Sequence, residues 1–200
     1  MALNADWHDD PIAKRVSWKP LIEEGGSNFA THRIHRRGSR LFTHATGFTK
    51  FFLWTFVFVG IFFPTAMLIF WFNFTTDDPD FIGTILLLVV GAIFTGISTL
   101  TLRWVNGKCL YFDRNIISNS RGFACRISDV YAIQLLSECV LTSEQSAPYY
   151  SHELNLVLKD FSRINVTDHA MEDIIRHDAR LLSRYLDVPV WDAARGNRED

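Results

Sequence analysis

The sequence predicts an α+β membrane protein, in which a two-helix transmembrane hairpin is joined to a small antiparallel β-domain with one C-terminal helix. Three observations predict it. Residues 51–102 contain no Lys, Arg, Glu or His, and their only charges are Asp77, Asp78 and Asp80. Basic residues flank this block on both sides. Beyond it, apolar residues alternate with polar ones in short runs, then recur at helical spacing near the C-terminus. The net charge of −2 and the 48% hydrophobic content would suit a soluble protein, but the average hides the concentration of apolar residues in one block.

Residues 1–27 are expected to be a polar segment without fixed structure. They carry Asp6, Asp9, Asp10, Glu23 and Glu24, and residues 1–50 hold no apolar run of signal-peptide length. Insertion is therefore expected to rely on the internal segments. Residues 28–50, around "FATHRIHRRGSRLFTHATG", read as a pre-membrane β-hairpin turning at Gly38-Ser39.

The first apolar run, residues 51–73, covers about 34 Å as a helix, and the second, residues 81–102, about 33 Å. Each exceeds a hydrocarbon core of about 30 Å. The link 74–80 is too short for anything but antiparallel neighbours, and it places the three Asp at a hydrated bend. Pro79 suits that turn, and Pro64 is expected to kink the first helix. Three Asp without Glu or a Gly-bearing loop are too few oxygen ligands for calcium.

Arg33, Arg36, Arg37, Arg40 and Lys50 precede the block, Arg103 and Lys108 follow it, and the link has no basic residue. Both termini are thus expected in the cytoplasm. Trp54 and Trp104 would mark the inner interface and Trp71 the outer one, with Lys50 and Arg103 snorkelling to anionic head groups. In the second helix, Gly91, Thr95 and Ser98, with Ala92 and Gly96 adjacent, offer a small-residue face for helix–helix packing. No ionisable residue lies within either run, which argues against a transport path through this pair alone.

Residues 103–190 read as the β-domain. "KCLYFDRN" and "IISNSRG" form two strands joined at Asp113-Arg114-Asn115. "FACRISDVYAIQLLSECVL" forms one or two more, broken near Ser128-Asp129. Residues 142–151 read as a long polar loop. "HELNLVLKDFSRINVTDH" is a hairpin turning at Lys159–Ser162. A helix over 169–187 follows, capped by Asp168, with Met171, Ile174, Ile175, Ala179, Leu182, Tyr185 and Leu186 on its apolar stripe. Glu172, Asp173 and Asp178 are assigned to its solvated face, with His177 and Arg180 also off the stripe, and residues 191–200 to a tail. The strands before and after the helices can join in one domain with the helical hairpin inserted in it.

Antiparallel strands closed by one C-terminal helix resemble pleckstrin-homology-like (PH-like) domains. The stretch "LNLVLKDFSRINVTDHAMEDIIRHDARLLSRYLDVPVWD" is similar to the end of uncharacterised bacterial inner-membrane proteins with two transmembrane helices and such a domain. The resemblance implies a binding or scaffolding role at the inner membrane.

No GxGxxG, P-loop, HExxH or GxSxG is present. Cys109, Cys125 and Cys139 show no metal or disulfide spacing, and His32 and His35 lack further ligands nearby. The sequence therefore names no catalytic residue, metal or cofactor, and a non-enzymatic role is expected. Residues 31–126, apart from the Asp cluster, hold ten basic residues and one acid, whereas residues 127–200 hold thirteen acids and seven basics. The first part should be drawn to anionic lipid, and the second repelled by lipid and nucleic acid, leaving it for a protein partner or a second copy. The expected function is a membrane-anchored binding, scaffolding or regulatory protein. The alternative is an immunity or accessory subunit acting on a toxin or secretion complex within the membrane.

Overall fold

A computed structural model describes residues 6–22, 27–74, 81–141 and 148–194. The chain forms an α+β fold of two compact units, residues 47–107 and residues 1–46 with 108–200.

The helical unit consists of α1 (Gly47–Phe74) and α2 (Phe81–Gly107), both longer than the apolar runs alone. Nothing at Thr49-Lys50 or at Arg103-Trp104 breaks a helix, so the backbone ladder continues past the apolar boundary. The Asp-bearing residues 75–80 lie outside the described residues. The helices approach most closely where both lack a side chain. A Cβ on Gly91 would stand 2.5 Å from the Gly60 carbonyl oxygen and from Pro64 Cγ. Thr95 and the buried Ser98 lie toward α1, whereas Ala92 is exposed and Gly96 has open space. Only Gly91, Thr95 and Ser98 of the expected small-residue face therefore serve this pair. The hydroxyls of Thr55, Thr65, Thr99 and Thr101 donate to carbonyls one turn back, at 2.7–2.9 Å, which satisfies them without water.

The β-unit contains two sheets. The first runs β1 (His32–Arg37), β2 (Arg40–Ala45), β3 (Leu110–Asp113), β4 (Ile116–Asn119), β5 (Ala124–Arg126), all antiparallel. β2 and β3, separated in the chain by both helices, are neighbours. Leu41 pairs with Phe112, and the Leu110 N–H donates to Thr43 Oγ1 at 2.7 Å. A 3₁₀ turn, Ile127–Asp129, leads into the second sheet, which comprises β6 (Val130–Val140), β7 (Tyr149–Leu158), β8 (Arg163–His169) and β9 (Val190–Asp192) in the order β8-β7-β6-β9. Tyr149–Ser151, expected in a polar loop, belong to β7, because their cross-strand partners Glu138–Val140 extend β6 to meet them.

α3 (Glu172–Leu186) follows β8. Asp168 does not cap it, being the β8 residue paired with Glu153, and Met171 precedes the helix without a side-chain cap. The chain ends α3 at Asp187 in the left-handed region (φ 54°) and returns as β9, parallel to β6. The β9 pairing departs from an all-antiparallel domain and from a tail starting at residue 191. Trp191 is buried, and burying so large an apolar surface secures the short strand.

Alternation along β6 and β7 builds two cores. Ile133, Leu135, Leu154 and Leu156 point to the main core, with Ile34, Leu41, Phe112 and Ile117 of the first sheet and Ile175 and Leu182 of α3. The intervening residues Ala132 and Val157, together with Trp191 of β9, meet Ala13 and Val16 on the other face. Residues 6–22 thus pack as a strap over the second sheet, not as a free polar segment. Trp7 stacks on Trp18 at 3.9 Å, and the Arg15 guanidinium lies 3.8 Å above the Phe161 ring. Polar groups of the sheet recognise the strap backbone. Glu153 accepts the Leu21 and Ile22 N–H at 2.9 Å, Gln134 Nε2 donates to the Ser17 carbonyl, and Arg163 donates to the Lys19 carbonyl.

Candidate functional site

α3 is held to the first sheet by a carboxylate that its helical pattern conceals. Asp178, assigned by the sequence to the solvated face, is fully buried. Its Oδ2 accepts the Ile34 N–H at 3.0 Å. β1 is an edge strand, and Ile34 would otherwise present an unpaired N–H to apolar surroundings. Oδ1 of Asp178 is buried without a hydrogen-bond partner among the described residues. Burial pushes this carboxyl up to about 6, against the opposing pull of the Ile34 N–H and of Arg33, His177 and His35. Tyr185 adds a second tie, its hydroxyl donating to the Phe112 carbonyl at 3.2 Å. Arg176 anchors the other side of α3 by pairing with Glu172 and Asp192.

A second buried polar group, on β7 and β8, contains histidines that look scattered in the sequence. His152 and His169 are cross-strand partners and both are buried, as is His32. His169 Nδ1 accepts the Met171 N–H at 3.2 Å, which leaves the proton of the neutral ring on Nε2. Burial, reinforced by His152, Arg33 and His32, lowers the His169 imidazole to about 4. No group of three metal-ligating side chains is assembled among the described residues.

A polar concavity of the β-unit lies where α3 meets the β1–β2 hairpin. His177, Arg180 and Arg184 recur along one side of α3, facing Arg36 of β1 over a cavity of about 470 Å³ whose floor includes Leu41 and Tyr185. No carboxylate among the described residues lines it. The Arg36 Nε donates to the Gly38 carbonyl at 3.0 Å, which holds that side chain back along the hairpin. Asp178, one residue from His177, is turned into the core. The same helix therefore presents arginines outward and uses its one buried carboxylate to fix their distance from β1.

The other basic residues predicted at the membrane surface are dispersed. Arg33 belongs to β1 and keeps a buried Nε without a hydrogen-bond partner among the described residues. Arg37 is exposed, and Arg40 pairs with Asp113 at 3.1 Å. Lys50 and Trp54 are exposed on α1, and Arg103 and Trp104 on α2. Trp71 belongs to α1, but its side chain is not among those described. Lys108 is half-buried, and that burial lowers its amine from the ordinary value. Sequence reasoning singled out Arg36 for its position before the apolar block but missed the pocket, whose signal was the arginine spacing at 180 and 184. No protein-family model, curated protein or solved structure matches the chain.

Proposed function

We propose that the chain is an integral inner-membrane protein whose α1–α2 hairpin anchors a PH-like binding or scaffolding module at the cytoplasmic face. The observation that carries this reading is the nakedness of the two helices. Their candidate spans, Gly47–Phe70 and Ile82–Gly107, are only 17% and 11% buried in their most apolar windows, whereas the core helix of a soluble protein is mostly covered. Large side chains such as Phe51, Phe58, Leu86 and Leu100 are exposed over most of their surface. In water this would be an apolar patch far beyond what a soluble monomer carries, and in lipid it is the expected surface. The spans extend about 36 and 39 Å, enough to cross with some tilt.

Sheet pairing supports the topology. β2 enters α1 and β3 leaves α2, and the two strands share a ladder, so the chain must cross an even number of times. The basic flanks, with Arg36, Arg37 and Arg40 before α1 and Arg103 and Lys108 after α2, favour the cytoplasm for that shared side. Two sheets closed by α3 support the PH-like reading, with β9 and the inserted helices as departures from the simplest form. The role is that of a binding module, with a protein partner or a second copy on the distal surface.

Alkaline-carbonate extraction and terminal reporters test the anchor. The protein should remain in the pellet until detergent is added, and reporters at both ends should be active only in the cytoplasm. Release by carbonate, or periplasmic activity at either end, would refute it. Cross-linking in membranes should recover a specific protein partner that is lost when the surface of residues 127–190 is altered.

A further inference from the structure

We propose that the cavity between α3 and the β1–β2 hairpin is a binding site for a phosphate monoester or diphosphate group. Arg180, Arg184 and His177 make no ion pair or hydrogen bond with the described residues, although the remaining arginine of α3, Arg176, is paired with two carboxylates. Three guanidinium groups around one cavity repel one another when it is empty, and an anion removes that repulsion. Guanidinium forks match the oxygens of a phosphate in pairs, and two or three of them suit a group carrying about two negative charges better than a single carboxylate.

The elements that carry these side chains are fixed before any ligand arrives. Arg36 stands on a strand, the other arginines on a helix, and the Asp178 bond to Ile34 and the Tyr185 bond to Phe112 hold helix and sheet together. A volume of about 470 Å³ admits a phosphate with a small organic body, and the apolar floor at Leu41 and Tyr185 suits that body. The group's source is either a soluble phosphorylated compound or the head group of a lipid. The inference does not depend on the membrane reading, because the site lies wholly within the β-unit.

The test uses the full chain in a neutral detergent, titrated calorimetrically with inorganic pyrophosphate at low ionic strength. Saturable binding is expected, weakened at least about tenfold by Arg180→Gln combined with Arg184→Gln. Arg126→Gln, at an exposed arginine of β5, should leave it unchanged. Arg36→Gln reads the opposite wall and serves if the double variant fails to fold. Reconstitution in phosphatidylcholine nanodiscs with and without phosphatidic acid separates the sources. Loss of pyrophosphate binding only when phosphatidic acid is present supports the site with a lipid head group as its ligand, and retention supports it with a soluble one. Absence of saturable binding, or equal weakening by Arg126→Gln, would overturn the proposal.

Discussion

Asp178 and His169 should make the β-unit's stability respond to pH in opposite directions, and removing either should expose the other. Burial raises Asp178 from 3.8 to about 6. Its contribution is therefore fully present below pH 3.8 and is lost as the pH rises through about 6. His169 is lowered from 6.5 to about 4, so its contribution is present above pH 6.5 and is lost as the pH falls through about 4. At about 1.4 kcal/mol per tenfold change in proton affinity, each amounts to about 3 kcal/mol. Between pH 6.5 and 4 the two nearly cancel. Asp178→Asn keeps an acceptor for the Ile34 N–H but cannot ionise. On acidification over that window it should lose about 3 kcal/mol relative to the wild type. His169→Asn keeps an acceptor for the Met171 N–H and should gain a similar amount, while the double variant should parallel the wild type. Denaturant unfolding of the full chain in a neutral detergent, followed by hydrogen exchange of β6 and β7 amides, supplies the differences. Subtracting the wild-type curve removes the other titrating groups. If Asp178→Asn kept the wild-type slope, or if its stability rose on acidification, the raised carboxyl would be refuted.

The helical pair and the strap offer two further checks. Gly91→Leu drives a side chain into the Gly60 carbonyl and should destabilise the α1–α2 contact by about 1–3 kcal/mol, whereas Gly96→Leu has open space and should not. Thermal loss of exchange protection in α1 distinguishes them. Glu153→Ala strips the acceptor from the Leu21 and Ile22 N–H groups, and tryptic cleavage at Lys14 and Arg15 should quicken by about tenfold or more while β6 and β7 stay protected.

The strands were legible where one face is apolar and the other polar, as at Leu154, Leu156 and Leu158 or around the Gly38-Ser39 turn. The long helices were legible because an uncharged run longer than the bilayer is thick rarely occurs in a soluble fold. What stayed hidden depends on contacts between distant segments. Asp178 reads as a solvent residue because nothing local reveals that the edge N–H of Ile34, 144 positions earlier, needs an acceptor. The strap reads as polar because its apolar members, Trp7, Ala13, Val16 and Trp18, are spaced to fit another surface and follow neither the helix nor the strand period. β9 escaped notice because three residues are too few to show a period, and Trp191 was the only hint. The cavity needed both walls, one on β1 and the other on α3, and the sequence separates them by about 140 positions.

The ladder between β2 and β3 has a consequence for how the protein is made. β1 and β2 leave the ribosome first, yet the strand that completes their sheet is encoded after residues 47–107. At about 5–20 residues per second, the half-finished hairpin waits about 3–12 s with the β2 edge bare while both helices are synthesised. Only after the second helix has been synthesised can β3 arrive and close the sheet, so completion of the β-unit reports that both helices have left the ribosome.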